Sequence, residues 1–179
     1  MIVNTIKAIC NLYNKDFMYY DNYNYIDWTE IETWNFTELK LASTEYIDTY
    51  FNQPRFFEKL EYIDNAQEII EFLSEKYEII VVSIGNRPNL RLKELWLEAN
   101  IPYVKFIGVD LAQFEDKSHI NMSGSIFIDD SYKNLKTSNA DMKICFGDIY
   151  EWNCKGVGKI DWCFNWYDVK RKLLDGGDV

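Results

Sequence analysis

Apolar residues along this chain fall into two rhythms. Near the start, Ile2, Ile6, Ile9, Tyr13 and Phe17 recur every three or four positions, the spacing of one apolar helix face. Residues 27–57 carry repeated helix-start signals: Asp27 and Thr29 ahead of Glu30 and Glu32, then Ser43 or Thr44 ahead of Tyr46 and Ile47. That stretch predicts short helices without a strong strand. From about residue 64 onward, helix-spaced and strand-like segments alternate. Asp64 is placed to cap a helix through Ala66, Ile69, Ile70 and Leu73. Within 77–83, Ile79, Ile80, Val81 and Val82 form an unbroken β-branched run, which suits a strand covered on both faces. Gly85, Asn86 and Pro88 break the chain there, and Leu90, Leu92, Leu95, Trp96 and Leu97 predict a second helix. Pro102 precedes a strand at 104–107. Further strands are predicted at 125–129 and 143–146, with a helix near 133–138 between them. Trp152, Trp162 and Trp166 are expected to pack a helix onto the sheet. Helices alternating with buried strands imply an α/β fold with a three-layer, Rossmann-like parallel sheet.

Composition narrows what such a fold does. A chain of 179 residues suggests one domain, able to bury roughly 70% of the surface its unfolded form exposes. There are 29 acidic and 19 basic residues, a net charge of −10. That excess argues against duplex nucleic acid, whose binding relies on Lys and Arg neutralising phosphates. It leaves room for a small phosphate ester in a local pocket. The single histidine, His119, removes His-based zinc sites and His dyads, and no Gly-x-Ser-x-Gly elbow accompanies it. Its setting suggests a loop residue rather than a catalytic base. Cys10, Cys145, Cys154 and Cys163 form no Cys-x-x-Cys pair and read as reduced thiols of a cytoplasmic protein. Residues 1–10 lack the charged start and apolar core of a signal peptide, and no stretch is long enough to span a bilayer, so no membrane partner is expected.

In an open parallel sheet, ligands sit beyond the carboxyl ends of the strands. The predicted strand at 77–83 ends in Ser83, and the strand at 125–129 ends in Asp129 followed by Asp130. Lys117 lies just upstream of the second. Carboxylates suit Mg²⁺, while a lysine and a hydroxyl suit phosphate oxygens. Each residue also has an ordinary role. A strand-end serine caps turns, paired aspartates cap helices, and a lysine is usually solvated. Their order along the chain gives the set its weight.

That order resembles the haloacid dehalogenase (HAD) superfamily of phosphotransferases. Its motifs run Asp-x-Asp on a first strand, Ser or Thr on a second, then a Lys, then paired acids. More narrowly, the chain resembles the 5′(3′)-deoxyribonucleotidases of the cytosolic type. The segments that carry this are 79–83, Lys93-Glu94-Leu95-Trp96-Leu97, Asp116-Lys117-Ser118-His119 and Ile126-Phe127-Ile128-Asp129-Asp130-Ser131. The resemblance implies an HAD-like core over 1–17 and 61–179, with a small helical cap over 18–60. It implies Lys117 and Ser83 as catalytic residues on the phosphate, Asp129 as a ligand of Mg²⁺, and Asp130 orienting that site. Trp28, Trp34, Phe36 and Phe57 of the helical part are candidates to stack on a base, although such residues more often form a small core. A nucleotide is the implied substrate, and a homodimer is carried as an expected assembly.

One departure matters. The nucleophile of that superfamily is the first Asp of Asp-x-Asp, on the central strand ahead of the first helix. Here Met1-Ile2-Val3-Asn4-Thr5 stands where that motif should already have ended, and the first aspartate is Asp16. The expectation is that the first central strand, the nucleophile and the general acid are missing from this sequence. The strands near 79 and 125 would then lose their shared neighbour, and their unpaired backbone groups need some other segment or chain. Two functions follow: a phosphatase acting on deoxynucleoside monophosphates through an aspartyl phosphate, or a catalytically inactive relative that binds nucleotides or partners.

Overall fold

A computed structural model describes residues 1–31 and 42–175. Its first element is a short antiparallel stem. Val3 bridges Tyr62, Asn4 N–H donates to Glu61 O at 2.9 Å, and Ile63 N–H donates to Ile2 O at 3.0 Å. Between the two arms of that stem the chain makes its helical excursion. Helix α1 (Thr5–Phe17) starts at Asn4, whose side chain accepts from Lys7 N–H at 2.9 Å. Ile2 lies ahead of this cap, so the helical face begins at Ile6. The backbone of Ile2 is claimed by the stem instead.

Two further helices follow, α2 (Thr44–Tyr50) and α3 (Pro54–Phe57). Ala8, Ile9, Leu12 and Tyr13 of α1 share one buried cluster with Ile31, Ile47, Tyr50, Phe56 and Phe57. A polar clamp ties its ends. Arg55 donates to both oxygens of Asp16 at 2.6 and 2.7 Å, and Tyr50 hydroxyl donates to Asp16 at 3.0 Å. The Arg55 guanidinium holds the Asp16 carboxyl below the usual carboxylate range.

The remainder alternates as the periodicity predicts: α4 (Ala66–Ser74), β1 (Ile80–Gly85), α5 (Arg87–Asn100), β2 (Lys105–Asp110), β3 (Ile126–Asp129), α6 (Tyr132–Thr137), β4 (Met142–Phe146), β5 (Asp161–Cys163) and α7 (Trp166–Asp175). Every ladder between these strands is parallel. Several details differ from the expectation. Asn65 in the left-handed region (φ +61°), not Asp64, stands at the start of α4. Strand β1 begins at Ile80 rather than 77 and runs on through Ser83 to Gly85. Gly85 does not break it, because the parallel ladder continues to the Gly85–Asp110 pair. The glycine is required there: a Cβ would stand 2.3 Å from Asn89 Oδ1. Strand β5 was not predicted, since three residues carry too little periodicity. Trp162 lies on that strand, with its indole N–H donating to Gly147 O at 2.7 Å. Trp166, on α7, donates to Met1 O at 3.0 Å.

The strands form two sheets, β1–β2 and β3–β4–β5. Their faces are nonetheless continuous. Val81, Phe106, Ile126, Ile128, Ile144 and Phe146 share one cluster with residues of α4, α5 and α7. Val82, Phe127 and Cys145 share another, on the opposite face, with Leu135 of α6. Strand residues alternate faces, so this parity sets the two sheets side by side in one middle layer. Among the described residues, β1 pairs only with β2, and β3 only with β4. The facing edges of β1 and β3 therefore bound a slot. No helix among the described residues is long and apolar enough to cross a membrane.

Candidate functional site

The carboxyl end of β3 carries the most heavily engaged carboxylate of the sheet. Asp129 is 2% exposed. Its Oδ2 accepts from Lys117 Nζ at 2.6 Å, and its Oδ1 accepts from Ser131 N–H at 2.8 Å. Asn134 Nδ2 lies 3.2 and 3.3 Å from the two oxygens. Local sequence builds this arrangement. Ser131 caps α6, and the helix's first turn swings Asn134 back over Asp129. Asp116 accepts from Ser118 N–H at 2.8 Å, a tight turn that aims Lys117 inward. The Lys117 ammonium then lies 5.5 Å from the Phe127 ring centre, a cation–π contact on the face opposite the α4–α7 layer.

Asp130 is half-buried beside this pair. Burial pushes its carboxyl up, the positive amino terminus works against that, and the Asp129 charge adds to it. Ser83 is half-buried on β1, two residues before the strand ends rather than at its end. Lys117 and Asp129 are thus in direct contact, Asp130 adjoins them, and Ser83 stands across the slot on the other sheet.

A lysine that carried no assigned role belongs beside them. Lys93 of α5 donates to Ile84 O at 2.9 Å. Burial, with the charge of Lys117 adding to it, pulls its pKa down to about 8. The sequence held a signal for it: Asn89, Leu90, Lys93 and Leu97 share one helical stripe, and a charge on such a stripe points inward.

Mg²⁺ calls for a shell of hard oxygen ligands. The oxygens of Asp129 and Asp130 suit that ion chemically. Their number is short: among the described residues no three His, Cys, Asp or Glu side chains converge on one point. Asp129 Oδ2 is also already held by Lys117. The described residues alone do not close a magnesium site.

The aromatic candidates fare unevenly. Trp28 is half-buried against the α1 cluster, with the Lys7 ammonium 5.7 Å from its ring centre. Phe57 is buried in the same cluster. Trp34 and Phe36 lie outside the described residues. His119 is exposed and stacks on Phe114 at a ring separation of 3.5 Å, as befits a loop residue.

Comparison with known proteins adds to this geometry. The family model described as "5′ nucleotidase, deoxy (Pyrimidine), cytosolic type C protein" matches residues 1–175. Over 120 residues the chain is 32% identical to a 5′(3′)-deoxyribonucleotidase of Bacillus subtilis (strain 168), and equally to one of Bacillus phage SPbeta. Each match covers 66% of this chain and 65% of the relative's own length.

Proposed function

The chain belongs to the cytosolic type C family of deoxy-5′-nucleotidases, and from that premise we propose that it removes phosphate from deoxynucleoside monophosphates. The buried Lys117–Asp129 pair, 2.6 Å long at the carboxyl end of β3, carries this reading. A buried ammonium locked by a carboxylate is preorganised. It meets the negative charge that builds on transferring phosphoryl oxygens without first reorganising water. Lys117 holds those oxygens, Ser83 donates its hydroxyl to one of them, and Asp129 keeps Lys117 in place.

The bond-making groups have no counterpart among residues 1–15, since Asp16 is the first aspartate. The proposal seats them on a parallel strand between β1 and β3, whose faces already match and whose carboxyl ends lie close enough for the charge of Lys117 to act on Lys93. A carboxylate oxygen of that strand attacks phosphorus and the ester P–O bond breaks. The departing oxygen takes a proton from a second acid. Water then opens the aspartyl phosphate to inorganic phosphate. Metal dependence is general among HAD-like nucleotidases. Mg²⁺ is the ion proposed, with Asp129 as one ligand, Asp130 orienting it, and the remaining ligands brought by the same strand. Residues 18–60 are proposed to cap the site, with Trp28, Trp34 or Phe36 stacking on the base. Three buried free cysteines fit a reducing cytoplasm, and the charge of −10 fits a small-molecule partner rather than duplex nucleic acid. A homodimer is proposed as the assembly, read by sedimentation.

The test is phosphate release from deoxynucleoside monophosphates, with and without Mg²⁺, by a protein that carries Asp-x-Asp on a strand ahead of Ile2. Mg²⁺-dependent release that falls at least 100-fold in Lys117→Met is expected. No release from that protein sinks the proposal.

A further inference from the structure

Lys93 is a half-buried charge that the proposed chemistry leaves unexplained. Among the described residues its hydrogen bond is to a neutral carbonyl, Ile84 O at 2.9 Å, and it forms no ion pair. Lys117, by contrast, is matched by Asp129. An ion drawn partly out of water without a counterion is costly, and a second ammonium close enough to act on it raises that cost. Burial, and then the charge of Lys117, pulls its pKa down to about 8. These conditions are relieved by an anion.

The position of that anion follows from backbone parity. Successive carbonyls of a strand point to opposite edges. The carbonyls of Ile79 and Gly85 accept from Lys105 and Leu111 N–H on the β2 side, at 2.9 and 3.0 Å. The Ile84 carbonyl therefore points the other way, toward the slot that faces β3. Lys93 reaches it from α5, so its ammonium lies at the slot's carboxyl end, one residue beyond Ser83. Lys117 approaches the same slot from β3. Two cations thus stand at one mouth, close enough for the charge of Lys117 to act on Lys93, and among the described residues the carboxylate in contact with either lysine is that of Asp129.

We propose that Lys93 is a second anion-binding lysine, which with Lys117 and the Ser83 hydroxyl cradles the phosphate dianion of the substrate. Its identification with substrate phosphate rests on the phosphatase reading above; the cradle itself rests on the lysine geometry. Lys117 meets the phosphate from the β3 side and Lys93 from the β1 side. Between them they offer two of the three unbridged phosphate oxygens a charged donor.

Titration calorimetry of the protein with inorganic phosphate tests the cradle, beside Lys93→Met and Lys93→Arg. Lys93→Met is expected to weaken phosphate about tenfold or more, while Lys93→Arg, which keeps the charge, stays within about threefold of wild type. Without phosphate, Lys93→Met is expected to melt no lower than wild type, because a half-buried cation without a counterion among the described residues has been removed. Phosphate should raise the melting point of wild type but not of that variant. If Lys93→Met melts lower, circular dichroism of the folded protein at reduced temperature still permits the titration. Equal phosphate affinity in wild type and Lys93→Met overturns the inference, as does a wild type that binds no phosphate at tens of millimolar. Kinetics separate the two readings. Turnover whose KM is indifferent to Lys93 sinks the cradle alone. Lys93-dependent phosphate binding by a protein that carries Asp-x-Asp ahead of Ile2, without any turnover, sinks the nucleotidase alone.

Discussion

Replacing Lys117 by Met removes one half of a buried ion pair and leaves the other half behind. The Lys117 side chain is 10% exposed and that of Asp129 is 2% exposed, so salt and water screen the pair little. Breaking such a pair from one side costs about 3–5 kcal/mol, because a carboxylate is stranded in a poorly solvating site. Asp129 here is not stranded completely. It keeps Ser131 N–H at 2.8 Å and the Asn134 amide at 3.2 Å, and the Met side chain still covers Phe127. The cost therefore falls at the lower end, about 3 kcal/mol. In a domain of this size that corresponds to a fall of about 6–12 °C in melting temperature. Urea unfolding of wild type, Lys117→Met, Asp129→Leu and the double variant measures it. The double variant buries no unpaired charge, so it should be more stable than the sum of the two single losses by about 2 kcal/mol. A Lys117→Met protein within about 0.5 kcal/mol of wild type, or strictly additive losses, would refute the view that Asp129 is held chiefly by this lysine.

Two further outcomes concern the frame around the site. Arg55→Met frees Asp16 from its bidentate partner and leaves it only Tyr50. With Arg55 41% exposed and Asp16 18% exposed, the loss is about 1 kcal/mol at neutral pH. Because the folded-state pKa of Asp16 is lowered, this stabilisation is present above the ordinary carboxylate value of 3.8 and fades as pH falls below it. Unfolding curves of the two proteins should therefore converge in acid, and a gap that widens there contradicts the ion pair. Gly85→Ala places a methyl 2.3 Å from Asn89 Oδ1, and that side chain is pinned by its own bond to Phe51 O at 2.7 Å. A loss of about 1–3 kcal/mol is expected, read by the same unfolding assay. The companion variant Gly85→Ala/Asn89→Ala should recover part of it. No recovery would locate the strain elsewhere.

What the sequence disclosed and what it hid divide along physical lines. The strand cores at 80–83 and 126–129 and the stripes of α4 and α5 were legible, because burial on a repeating lattice imposes a period that survives in one dimension. Ser83, Lys117, Asp129 and Asp130 were legible as an ordered set, and three of the four lie together. In the sequence Lys93 is only one residue of the segment Lys93-Glu94-Leu95-Trp96-Leu97. Its importance depends on a carbonyl whose direction is fixed by the pairing of β1 with β2, and parity of that kind is invisible until the partner strand is known. Strand β5 was hidden because three residues cannot show a rhythm. Ile2 was misread because Asn4 and the stem with 61–63, a contact across nearly sixty positions, outcompete the local helical spacing. The same reasoning bears on the slot. Among the described residues β1 and β3 have no partner strand on their facing edges, and the two sheet faces match across the slot between them. A lysine ammonium bonding to the edge carbonyl of Ile84 is the response expected of a backbone acceptor that has no strand beside it among the described residues. Lys93 can make that bond and still turn to an anion. A strand N–H seated in the slot would compete for Ile84 O and release the ammonium toward phosphate, which ties the completeness of the sheet to the charge available at its mouth.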